Sequence, residues 1–144
     1  MEQLDLTNQE PAYLCGRLLR VIESIQYEAQ GKTNTTVVGR FYGSASSAPA
    51  SVFGILLQRA QANLEKLRKD KEKEKAYNSL QAKITNITYP NLKSFPKTLN
   101  LEQQGLFALG YYHQRAKDKK DIADAIAHKN QKENMKNKEE TDNE

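Results

Sequence analysis

Apolar residues recur along this chain at intervals of three and four, the period of a helix that buries one side. Leu14, Leu18, Val21, Ile22, Ile25 and Ala29 form the first such stripe. Thr7 and Glu10 ahead of it have capping-box spacing, Pro11 suits a first turn, and Gly31 suits a stop. Val52, Phe53, Leu56, Leu57, Ala60, Leu64 and Leu67 form the strongest stripe, with Pro49 placed to be its first helical residue. Tyr77, Leu80, Ile84 and Ile87 follow, ended by Tyr89-Pro90. Asn100 and Gln103 have capping spacing for a last helix, on which Leu101, Gly105, Ala108 and Tyr112 share one face and Phe107 and Tyr111 the next. The small residues Gly105 and Ala108 would let a neighbouring helix approach closely.

Three segments break this rhythm. Thr33 to Tyr42 is rich in β-branched residues, yet no second strand-like run offers it a partner, so a short helix is expected. The octapeptide RKDKEKEK (68–75) is too charged for any core: it either extends a helix into water or turns the chain back. From Asn130 to Glu144 the residues are nearly all Lys, Asn, Glu and similar, a composition that leaves a tail mobile. The expected architecture is all-α, a compact bundle of four to five helices over residues 1–117, followed over 118–144 by a polar tail, partly helical and then disordered.

Charge changes the picture more than composition does. The net charge of +4 is concentrated: Lys32 to Lys97 holds twelve Lys or Arg against four acids, and no Asp or Glu stands between Glu28 and Glu65. A polyanionic partner would suit such a middle, as would a plain solubilising surface. Arg59, Lys66 and Lys73, seven apart, form a rail along the second strong helix that can follow a phosphate backbone but cannot read bases. Within RKDKEKEK, local ion pairing is the simpler fate of the charges. Arg40, flanked by Phe41 and Tyr42, can meet a phosphate while the rings pack inward or stack on a base. Candidate nucleic-acid contacts are therefore Arg40, Arg59, Lys66, Arg68, Lys69, Lys83 and Arg115. In GRFYGSASSAPASVF (39–53), Ser44, Ser46 and Ser47 precede a helix start whose free N–H groups could hold an anion, or the small residues make a tight joint between helices.

The groups that catalysis needs are sparse. Two histidines (His113 and His128), one cysteine and no phosphate-cradling glycine loop give no catalytic set and no metal site, and no cofactor is expected. Cys15 sits in a helical stripe and reads as a small buried hydrophobe. With no apolar run of about 20 residues, no disulfide pair and no leader pattern, a cytoplasmic protein without membrane contact or small-molecule substrate is expected.

Two segments, GRFYGSASSAPASVFGILL (39–57) and LNLEQQGLFALGYYHQR (99–115), with YLCGRLLRVIESIQYEA (13–29) in support, resemble the C-terminal region of the large subunit of the type I-C CRISPR interference complex, Cascade. The resemblance spans about Pro11 to Arg115. That large subunit is far longer than this chain, whose Met1 stands just ahead of the first helix; the chain therefore looks like the small subunit, made in that family from an internal start. The resemblance implies a helical bundle without catalytic activity, present in more than one copy along the guide-RNA filament. Its implied partners are the backbone subunits, the large subunit, another copy of itself, the guide RNA, and the target and displaced non-target DNA strands of the R-loop. It transfers no residue-level site, so the seven contacts rest on charge and position alone.

Overall fold

In the computed structural model, which describes residues 3–142, the chain forms five helices and no strand among those residues: α1 (Pro11–Gln30), α2 (Val37–Ser47), α3 (Pro49–Lys69), α4 (Glu74–Thr88) and α5 (Leu101–Asp142), with a 3-10 turn at Lys71–Lys73. Met1, Glu2, Asn143 and Glu144, the ends of the bundle and tail segments expected from sequence, lie outside the described residues. Among the described residues, no helix is long and apolar enough to cross a membrane.

The first helix is the axis of the bundle and packs against all four others. Its first half is buried on nearly every side, from Ala12 through Leu19, and its apolar stripe continues through Val21, Ile22 and Ile25. Arg17 is buried too, because its Nε donates to Gln114 Oε1 on α5 at 3.0 Å. The α1–α5 crossing is unusually close. A Cβ placed on Gly16 would lie 2.0 Å from the Phe107 carbonyl oxygen, and one on Gly110 would lie 2.1 Å from that of Tyr13. Close approach thus depends on Gly16 and Gly110, not on Gly105, which faces open space.

Asn100 and Gln103 form the reciprocal cap expected of them, each side chain accepting the other's backbone N–H at 2.9 Å. At α1 the expected Thr7–Glu10 box does not form. Asp5 Oδ1 accepts from Thr7 N and Oγ1, and Asn8 Oδ1 accepts from Glu10 N, so a local turn precedes Pro11. The Asp5 carboxyl is held below the usual range by those bonds.

The stretch 39–53 is a joint. Ser44, Ser46 and Ser47 lie inside α2, where Ser46 Oγ and Ser47 Oγ donate back to the Gly43 carbonyl at 3.1 and 2.8 Å. They leave no side-chain cap on α3. Ala48 departs from helical geometry (φ −143°, ψ 70°) as the residue before proline tends to, and α3 begins at Pro49. The 91–99 connector clamps the corner: Ala50 N donates to Pro96 O, Leu99 N to Ser47 O, each at 2.9 Å, and Phe95 stacks on Phe53 at 4.9 Å. Ala45 is fully buried. The tight joint, rather than an anion cradle, is what these small residues serve.

RKDKEKEK turns the chain back between α3 and α4. Beyond Asp118, α5 continues as a helix to Asp142, exposed through residue 140. No Gly or Pro follows Gly110 to stop it, and the alanines, lysines and glutamates there are good helix formers.

Candidate nucleic-acid interface

Three of the seven candidate cations converge on one cleft of about 340 Å3 where the α1–α2 loop meets α2 and α3. The loop is fixed first. Gly31 (φ 71°) ends α1, Gln26 donates to Thr35 O and accepts from Val37 N at 2.9 Å, and Thr36 Oγ1 caps α2 by accepting from Gly39 N at 2.9 Å. That cap places Arg40 and Phe41 in the first turns of α2, facing Arg59 and Lys66 on α3.

Phe41 is half-buried, its ring against the core. Its face carries two guanidiniums: Arg40 Cζ lies 5.4 Å and Arg59 Cζ 5.3 Å from the ring centroid. Cation–π attraction offsets part of the repulsion of gathering two like charges. No carboxylate lines the cleft, which follows from the acid-free span between Glu28 and Glu65. Among the described residues, none of Arg40, Arg59 and Lys66 is in an ion pair. The remaining walls are amides and hydroxyls together with Val37 and Ala62, and Gln30 Nε2 donates to Asn63 Oδ1 at 3.1 Å. Such a site offers planar donor forks and a point charge to a phosphate and no repelling group.

The other four candidates lie elsewhere. Arg68 is held by Glu65 one turn away in an exposed pair, which raises the guanidinium's pKa and lowers the carboxyl's. Lys69 is exposed at the end of α3, outside the cleft. Lys83, on α4, donates to the buried Asp118 carboxylate at 3.0 Å. Arg115 is half-buried on α5. The rail is also shorter than its spacing suggests. Lys73 falls in the 3-10 turn after α3 and pairs with Glu28 at 3.1 Å, leaving Arg59 and Lys66 as its members in the cleft.

Sequence reasoning misses Gln26, Gln30 and Asn63, which shape the cleft. Asn63 had a signal: it is a polar residue buried in the apolar stripe between Ala60 and Leu64. Asp118 is a second omission. It accepts from Arg20 Nε (3.3 Å), Lys83 Nζ (3.0 Å) and Gln114 Nε2 (2.9 Å), tying α1, α4 and α5 at one buried carboxylate. Of the other candidate reactive groups, Cys15 and His113 are buried and His128 is exposed. Burial pushes the Cys15 thiol up to about 12. Tyr13 OH accepts from Asp5 N at 2.9 Å and shares a hydrogen bond with His113 Nδ1 at 3.0 Å.

The family model described as CRISPR-associated protein (Cas_Csd1) matches residues 1–118, the span that ends at the last buried residue of α5 and contains the whole cleft. No curated protein matches the chain. With a match over most of its length, the chain belongs to the CRISPR-associated protein (Cas_Csd1) family.

Proposed function

We propose that the chain is a non-catalytic small subunit of a type I-C Cascade complex, binding DNA backbone without sequence preference and steadying the R-loop along the guide filament. The observation that carries this reading is the convergence of Arg40, Arg59 and Lys66 on one carboxylate-free cleft in a protein of a CRISPR-associated family. Its polar lining is rich in hydrogen-bond donors suited to an anion, and no Asp, Glu, His or Cys stands among the lining residues. Guide pairing selects the target in such complexes, so a cleft that grips phosphate and ignores bases suits a supporting subunit. The contacts fall on Arg40, Arg59 and Lys66 first. Lys69 and Arg115 remain secondary, while Arg68 and Lys83 are already engaged by carboxylates. The partners in this reading are the backbone and large subunits, a second copy, guide RNA and either DNA strand, in the cytoplasm.

The double reversal Arg59→Glu/Lys66→Glu tests it in the assembled complex. DNA affinity falls while the native mass of the particle is unchanged. A particle that assembles and binds DNA as the unaltered one does, at several salt concentrations, refutes the assignment. A second reading, a helical scaffold bridging subunits with little nucleic-acid contact, draws on exposed apolar side chains such as Tyr89 and Leu101, 75% and 86% exposed. It predicts instead that these reversals leave DNA affinity alone and that Leu101→Ser removes the chain from the particle.

A further inference from the structure

A larger concavity, about 760 Å3, lies between the C-terminal half of α1, α4 and the part of α5 that follows Asp118. Tyr27, Ala76, Leu80, Ile122 and Ala125 give it an apolar lining. Tyr27 and Ile122 are 62% and 58% exposed, an uncommon state for two large side chains facing one groove. Its charges are unequally settled. Each lining acid has a cationic partner: Glu23 with Arg20, Glu28 with Lys73, Asp118 with Arg20 and Lys83, and Asp121 with Lys117. Lys32, Lys75 and Lys119 line the same groove, are exposed, and have no ion-pair partner among the described residues.

An apolar lining with three uncompensated cations is complementary to one kind of occupant. We infer that this groove docks an amphipathic helix of a protein partner, one with apolar residues at three-four spacing and Asp or Glu flanking them. Burial of the partner's apolar face over Tyr27, Leu80 and Ile122 supplies affinity, and the lysines select its charge. A phosphate backbone would satisfy the lysines and leave the apolar lining in water. The inference stands apart from the cleft of Arg40, Arg59 and Lys66, and survives if that cleft proves to bind nothing.

Two labelled helical peptides with the same Leu/Ile seam, one flanked by Glu and the other by Lys, test it by fluorescence anisotropy on the full chain. The Glu peptide binds, and the Lys peptide binds at least tenfold more weakly. Lys32→Glu/Lys75→Glu/Lys119→Glu inverts that order, and Tyr27→Ser weakens both; all four side chains are exposed, and circular dichroism checks that the variants fold. Equal binding of the two peptides, no binding of either, or an order unchanged by the triple reversal overturns the inference. So does displacement of the Glu peptide by oligothymidine that the triple reversal abolishes, which assigns the groove to nucleic acid. Self-association abolished by Ile122→Ser, without peptide binding, assigns it to a second copy and is equally fatal.

Discussion

Gly16→Ala adds one carbon at the α1–α5 crossing. That carbon would sit 2.0 Å from the Phe107 carbonyl oxygen and 2.9 Å from the Tyr111 nitrogen, where ordinary contact begins at 3.4 Å. The helices must part by about 1.4 Å, since backbone atoms cannot swing aside as a side-chain tip can. Overpacking of this kind costs about 1–3 kcal/mol and occasionally more. The better helix propensity of alanine returns about 1 kcal/mol. Because the crossing sits on the helix that touches every other, we take the upper part of the range and expect a net loss of about 2 kcal/mol. For a chain this size that is a fall in Tm of about 8 °C. Gly54→Ala is the control: it is the same change within α3, with no heavy atom within 4 Å of the new carbon. It raises stability by about 0.5–1 kcal/mol. Thermal melts by circular dichroism on the two variants give opposite signs. A Gly16→Ala melting point equal to or above that of Gly54→Ala refutes the close crossing.

Asp118→Ala strands the Arg20, Lys83 and Gln114 donors and lowers stability by about 2–3 kcal/mol in urea titration, discounted because both cations are part-exposed. Glu65→Ala, which breaks the exposed pair with Arg68, leaves the transition midpoint where it was. Tyr111 donates to Glu23 Oε1 at 2.7 Å, and burial first, then that bond, hold its pKa well above the ordinary value. The folded state therefore keeps the phenol proton more tightly, so this stabilisation is complete below pH about 10 and fades as pH rises toward the folded pKa. Tyr111→Phe costs about 1 kcal/mol at pH 7 and flattens the alkaline loss of stability; an alkaline limb identical to that of the unaltered chain counts against the bond.

What could be read from the chain was whatever a short window encodes. The stripes of α1 and α3, the start at Pro49 and the Asn100–Gln103 cap all depend on neighbours within a turn or two, and each lies where its pattern puts it. The serines of 44–47 left two readings open because a serine ahead of a helix start can equally donate to a carbonyl one turn back. Lys73 misled because a seven-residue spacing supposes one continuous helix, and α3 ends at Lys69. Gly16, Gly110 and Asp118 act through residues about a hundred positions away or on other helices, and no local pattern marks them. The cleft lies between these cases. Its freedom from acid was visible in the sequence, but the meeting of Arg40 with Arg59 over Phe41 required the α2–α3 joint to be known.

The central claim is that Arg40, Arg59 and Lys66 together hold a nucleic-acid backbone. Its most direct test is the affinity of the folded chain for oligothymidine across a series of salt concentrations, unaltered and as Arg40→Gln/Arg59→Gln/Lys66→Gln. Each phosphate contact on a single strand contributes about 0.7 to the slope of log affinity against log salt. The triple variant is expected to bind more weakly, with a slope shallower by about 2. An unchanged affinity with an unchanged slope contradicts it.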